Sequence, residues 1–321
     1  EQYTHNVLVP GSNPGGPTIK DYLFSNFLKN NMSNLFSMVT LRSSLDYTYS
    51  AIESFFKNTQ LKEDDEFLLI DNDGCELKNF YNNKKIQIIK NKSPLSFAGN
   101  ANQSIDHALK KKKDLIFLNN DIIFTKDWFQ PVNLNSKSIS IPANNQIFPY
   151  VSDCGSLKIK PVMNLKDFNN SHELLNEIVK KHKEKYKLLT KAQSLLMGFF
   201  CFKIPNHIMN EVGHFDEVFV HGGEDVDYRI RCAKKGYEVN FILDSYLIHF
   251  YGKSSWDGVE TEEEIKKRDK KYTEAFLKKW GKEMTQIFIL RKNFFEILEE
   301  KGLNEIYKKR KFSELIKRLL K

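Results

Sequence analysis

Asp114-Leu115-Ile116-Phe117-Leu118-Asn119-Asn120-Asp121 is an apolar run that stops on three polar side chains. Five consecutive apolar-flanked positions of this kind are the pattern of a strand covered on both faces. Ile122-Ile123-Phe124 resumes the apolar character, so a buried strand is expected over 114–124, interrupted by three polar residues. Upstream, Glu66–Asp71 (EFLLID) has the same form and ends on Asp71-Asn72. Leu35–Leu41 precedes it as a strand, and Lys85–Lys90 (KIQIIK) follows as another. Tyr47–Lys57, with Ser44 or Asp46 as the candidate N-cap, and Asn102–Lys112, with Ile105, Ala108 and Leu109 at helical spacing, read as helices. Strands alternating with helices predict an α/β fold with a mostly parallel central sheet flanked by helices. Ligands of such sheets bind beyond the carboxyl ends of the strands, where the polar residues after Ile70 and Leu118 fall.

Composition narrows the function. The 321 residues are 40% hydrophobic and 13% aromatic, enough for a real core and incompatible with wholesale disorder. The longest apolar run, Leu195–Phe202, is far short of the ~20 residues of a membrane span. The net charge is +8, but residues 304–321 hold seven Lys/Arg against two Glu. The rest is near balance, so no nucleic-acid partner is expected. In that tail Phe312, Leu315, Ile316, Leu319 and Leu320 share one helical face. Two readings stay open there: a helix packed on the protein with a solvated basic side, or peripheral contact with an anionic membrane surface. Cys75, Cys154, Cys201 and Cys232 form no CxxC pair, which points to a reducing, cytoplasmic setting. Asp167–Lys191 is polar and Lys-rich, read as a loop or an exposed helical insertion, and helical patterns dominate after Thr261.

Four constellations can carry chemistry. His221-Gly222-Gly223-Glu224-Asp225-Val226-Asp227 crowds three carboxylates after two glycines. Like charges so close need a cation, hydroxyl donors or arginines nearby. They can cap the first turn of a helix, Asp227 can pair with Arg231, or one can act as a general base. Asn119-Asn120-Asp121 is a turn or a place to hold a hard cation through oxygen ligands. His249 closes the strand Asn240–Phe250, as a hydrogen-bonded core residue or, with Asp121, as a ligand set suited to Mn²⁺ or Mg²⁺. Asp71-Asn72 is turn chemistry or a pair of acceptors for a base or ribose. P-loop, HExxH and GxSxG motifs are absent.

In their order these segments resemble the inverting glycosyltransferases of family 2, with the GT-A fold and a rhamnosyltransferase-like subgroup. The resemblance rests on Val39-Thr40, Leu68-Leu69-Ile70-Asp71-Asn72, Phe97-Ala98-Gly99-Asn100-Ala101-Asn102, Leu118-Asn119-Asn120-Asp121, Gly213-His214-Phe215-Asp216-Glu217, Gly223–Arg231, Gly236-Tyr237 and His249. It implies a GT-A domain over 30–255 with a variable insertion at 150–193, an irregular arm at 1–29 and a helical, basic C-terminal region at 256–321. It implies a metal-dependent hexosyltransferase that moves a sugar from a nucleotide-diphosphate sugar to a glycan or lipid-linked glycan, in surface polysaccharide synthesis at the inner face of the membrane. Thr40, Asp71, Asn72, Asn102 and Asn119 are then the nucleotide residues, Asp121 and His249 the metal ligands, Asp225 the base, and Glu224 a holder of an acceptor or donor hydroxyl. Three residues depart from the family pattern: Asn119 for the first Asp of DxD, Ala101 for the frequent Arg before Asn102, and His214 for a Gly. Gly222-Gly223-Glu224-Asp225 is also similar to β-galactosyl- and N-acetylgalactosaminyl-transferases. A basic, non-catalytic membrane-associated scaffold is the rival from another class.

Overall fold

The apolar runs form the centre of a nine-stranded sheet in a computed structural model of the chain. It describes residues 32–75, 77, 80, 84–145, 165, 172–187, 190–194, 200–220, 222–253 and 261–290. The arm at 1–29, His221 and the tail at 304–321 lie outside the described residues. The strands are β1 (Asn34–Thr40), β2 (Glu66–Asp71), β3 (Ile86–Lys90), β4 (Asp114–Leu118), β5 (Ile122–Phe124), β6 (Ile139–Asn144), β7 (Lys191–Gln193), β8 (Cys201–Ile204) and β9 (Val239–His249). The helices are α1 (Leu45–Asn58), α2 (Phe97–Lys110), α3 (Phe129–Leu134), α4 (His172–Lys185), α5 (Asn206–Val212), α6 (Glu224–Lys234) and α7 (Glu262–Phe288).

The order across the sheet is β3-β2-β1-β4-β8-β6-β9-β5, with β7 also on β9. β3, β2, β1 and β4 are parallel, as the strand–helix alternation predicts. Beyond β4 the sheet is mixed: β8 runs antiparallel to β4 and β6, while β6 and β9 are parallel. Every residue of β4 is buried, and Phe36, Phe55, Phe67, Phe117 and Phe202 fill the layers beside it. This is the GT-A α/β architecture, and β1, β2 and β4 all stop at one edge of the sheet.

Three expectations change in detail. The single strand over 114–124 is two strands, because β5 leaves β4 and pairs antiparallel with β9, Ile122 facing His249. The break is caused by the polar residues themselves. Asn120 turns its amide inward to Ser44 Oγ (2.7 Å) and Thr48 Oγ1 (2.9 Å), and Asp121 turns toward His249. The second helix begins earlier than expected, at Phe97, where Ser96 caps it by accepting the Gly99 N–H. The 150–193 segment is also more integrated than an exposed insertion. In its described part Leu175 and His182 of α4 are buried, His182 Nε2 lies 2.9 Å from the Leu243 carbonyl, and β7 joins the sheet on β9. The buried stripe is narrow and its lysines point outward, which hides it from an amphipathicity reading. α7 begins with a capping box, Thr261 with Glu264, and no described helix is long and apolar enough to cross a membrane.

Candidate active site

β5 and β9 bring Asp121 and His249 together. Asp121 is fully buried and His249 is 5% exposed. His249 Nε2 lies 3.3 Å from Asp121 Oδ1, yet neither atom has a hydrogen-bond partner among the described residues, nor has His249 Nδ1. Burial pushes the Asp121 carboxyl up, but the adjacent His249 and backbone hydrogen bonds, among them that from Lys253, together hold it below the usual carboxylate range. The pair is rigidly framed. Phe200 stacks on the imidazole at 5.0 Å, and the Asn145 amide donates to the His249 carbonyl (3.0 Å) and accepts its N–H (2.7 Å). Asp121 Oδ2 accepts the Lys253 N–H at 3.1 Å. A buried carboxylate oxygen and imidazole with no hydrogen bond are costly unless they serve a ligand. One carboxylate and one imidazole with remaining positions open fit a Mn²⁺- or Mg²⁺-type cation whose other ligands come from a diphosphate.

Asp71 is the second buried carboxylate at this edge. Its Oδ1 accepts the N–H groups of Gly74 (2.9 Å) and Cys75 (2.8 Å), and its Oδ2 has no hydrogen-bond partner among the described residues. Asp71, Asp73 and Cys75 offer ligand atoms within 4.8 Å of one another. Most of these atoms are already used: Asp73 Oδ1 accepts the Arg42 N–H and the Cys75 thiol. Burial, then the hydrogen bond to Asp73, push that thiol up to about 12, so it stays protonated. With these bonds made the cluster forms a turn after β2, and it keeps Asp71 Oδ2 buried and without a hydrogen-bond partner among the described residues.

The other expected nucleotide residues are engaged within the protein. Thr40 is fully buried, 2.7 Å from Thr48 Oγ1. Asn72 Oδ1 accepts from the Asn91 and Asn100 amides and the Leu95 N–H, while its Nδ2 donates to the Leu95 carbonyl. Asn102 pins the segment after α5: it accepts the Phe215 N–H (2.8 Å) and donates to the Phe215 carbonyl (3.0 Å) and Glu217 (2.9 Å). Thr40, Asn72 and Asn102 are thus tied into the protein's own hydrogen-bond network at the edge where the resemblance implies nucleotide contact. Asn119 is half-buried at the end of β4, its N–H bonded to the Phe200 carbonyl at 2.7 Å.

The three carboxylates of the Gly222–Asp227 turn separate into different environments. Asp227, fully buried, accepts from Arg231 Nε (2.9 Å), Lys279 Nζ (2.7 Å) and Trp280 Nε1 (2.9 Å). It anchors α7. Glu224 is 8% exposed and accepts the Gly222 N–H at 2.7 Å. Burial, then the charge of Asp225, push it up to about 7. Asp225 is half-buried and accepts the Val226 N–H. Gly223 makes the turn into α6 with a φ of 87°, a left-handed conformation that favours glycine.

No family model and no curated protein matches the sequence. In structure the chain is similar to GalNAc-T7 solved with UDP, GalNAc and Mn²⁺, with a TM-score of 0.56 and 16% identity. The match covers 87% of this chain and 54% of the other, so the chain spans about half the length of that protein. The likeness shows a shared GT-A fold. The residues missed by sequence reading are Asn145 and Phe200, which frame His249, and Tyr272, Lys279 and Trp280, which lie on α7. Only the spacing of Phe276 and Trp280 within a helical pattern could have signalled the last group.

Proposed function

We propose that the protein is a nucleotide-sugar glycosyltransferase of inverting mechanism, akin to family 2, acting on a glycan or lipid-linked glycan. The observation that carries this reading is the buried Asp121–His249 pair, with its ligand atoms unspent at the carboxyl edge of a GT-A sheet. UDP and Mn²⁺ in the GalNAc-T7 structure support a nucleoside diphosphate and a divalent cation as the ligand set. Asp121 and His249 would hold the cation, which supplies positive charge against a leaving diphosphate. Asp71 Oδ2 would accept from the base or ribose.

The acceptor hydroxyl attacks the anomeric carbon as the bond to the diphosphate breaks, and Asp225 takes the hydroxyl proton. Neutral Glu224 holds an acceptor oxygen by hydrogen bonding. Burial and the charge of Asp225 raise Glu224 to about 7, which suits a neutral hydrogen-bond donor beside the base. The basic sequence of 304–321 supports attachment at an anionic membrane surface near a lipid-linked acceptor.

A panel of nucleotide sugars, incubated with and without Mn²⁺ or Mg²⁺, tests the reading. Cation-dependent release of nucleoside diphosphate, raised by a glycan acceptor, is expected. Inversion is read from the anomeric configuration of the product by NMR. No release with any donor, together with no cation-dependent UDP or GDP binding, overturns the reading.

A further inference from the structure

α7 reaches the carboxylate turn at a point that no motif marks. A Cβ on Gly222 would lie 2.8 Å from Cδ1 and 3.0 Å from Cε1 of Tyr272. A Cβ on Gly223 would meet Phe219 at 3.2 Å and Tyr272 at 3.6 Å. The Tyr272 ring therefore lies directly over Gly222, where an added methyl would force it to shift, and reaches Gly223 at ordinary contact distance. Eight residues further along α7, Trp280 donates to Asp227, which lies one turn after Glu224 on α6. At ~1.5 Å per residue the two contacts are about 12 Å apart, enough to set the position and tilt of one helix on the other. Phe276 and Trp280 pack with Phe219, Val226 and Ile230 in a core cluster separate from the main one. Arg268, one turn before Tyr272, is near enough to Glu224 for its charge to oppose the upward push of burial and Asp225. The kink in α7, at Gly281, falls after these contacts, so the segment that covers the turn is a continuous helix.

We propose that Tyr272 is a positioning residue for sugar transfer: its ring seats the Gly222–Gly223 turn and thereby fixes Glu224 and Asp225 toward the acceptor hydroxyl. This rests on the transfer reading above. A misplacement of about 1 Å in a reacting group is enough to cost ~10²-fold in rate. The contacts to the two glycines are made by ring carbons, so this role belongs to the ring.

The test uses the full chain with the donor found active in the panel. Rates, acceptor KM, UDP affinity in Mn²⁺ and melting temperature are compared for wild type, Tyr272→Phe, Tyr272→Ala, Gly222→Ala and Gly222→Ala/Tyr272→Ala. Tyr272→Leu replaces Tyr272→Ala if the latter fails to fold. Tyr272→Ala is expected to lower kcat at least tenfold while UDP affinity stays within twofold, and Tyr272→Phe to retain kcat. Gly222→Ala alone is expected to lose kcat at least tenfold, and the double variant to lose less than the product of the two single losses, since the new methyl then has space. Wild-type-like kcat in Tyr272→Ala, equal loss of kcat and UDP affinity, or additive losses in the double variant overturns the proposal and leaves the transfer reading standing. A wild-type protein that transfers from no donor overturns both.

Discussion

Asp121 and Asp227 are both fully buried carboxylates, and their surroundings are opposite. Asp227 has three donors from two helices, and both of its oxygens are engaged. Asp121 keeps one oxygen without a hydrogen bond, 3.3 Å from an imidazole that is equally unspent. Burial of a charge is tolerated when it is paired and costly when it is not. The saturated carboxylate therefore reads as structure and the unsaturated one as a site. Glu224 and Asp225 lie between the extremes, each with a short backbone hydrogen bond and each at the rim of the same turn.

The largest effect should come from that rim. Asp225→Asn keeps shape and removes the proton acceptor, so kcat should fall by ~10²–10⁴ with UDP affinity in Mn²⁺ unchanged. A variant within tenfold of wild type takes Asp225 out of the role. The two buried carboxylates sharpen the contrast further. Asp227→Ala strips Trp280 Nε1 of its acceptor and leaves Arg231 and Lys279 facing each other, which should cost roughly 2–3 kcal/mol of stability. Differential scanning fluorimetry reads this as a drop of roughly 3–5 °C. Asp121→Asn should lower the melting temperature by less than Asp227→Ala does, since only His249 and the Lys253 N–H face it, and weaken Mn²⁺-dependent UDP binding at least tenfold by calorimetry. If Asp121→Asn melts like Asp227→Ala, the distinction between the two carboxylates is lost.

Much of this was legible in the sequence. Apolar runs of five or six residues located β1, β2 and β4, since a fully buried parallel strand has no alternative pattern. The polar stops after Ile70 and Leu118 located the edge of the site for the same reason. The pairing of Asp121 with His249 followed from the resemblance. The internal hydrogen bonds of Asn72 and Asn102 did not, because an amide at a strand or helix edge has the same sequence appearance whatever loop lies opposite it. Tyr272 and Trp280 were equally hidden. They act across about fifty residues, and their stripe on α7 differs from an ordinary amphipathic helix only in what lies opposite. The split between β4 and β5 was missed because three polar residues can interrupt a strand or end it, and only the partner strand decides.

The smallest predicted effect is the most discriminating between the neighbours Glu224 and Asp225. Burial, and then the charge of Asp225, raise Glu224 from 4.5 to about 7, so the folded protein holds that proton more tightly than the unfolded chain. The associated stability is complete below about pH 4.5 and is lost as pH rises to about 7. Glu224→Gln fixes the neutral form, so its melting temperature should exceed that of wild type at pH 8 by more than at pH 5. Activity should follow the same ionisation. If Asp225 is the base and neutral Glu224 donates to the acceptor, kcat/KM falls up to about tenfold as pH rises through 7, the value of one lost hydrogen bond near 1.4 kcal/mol. Glu224→Gln should then be active and show no such limb. If Glu224 were the base, ionisation would create the active form, kcat/KM would rise through 7, and Glu224→Gln would be inactive. The slope of one pH–rate profile thus decides which of two adjacent carboxylates takes the proton, and its sign cannot be the same for both.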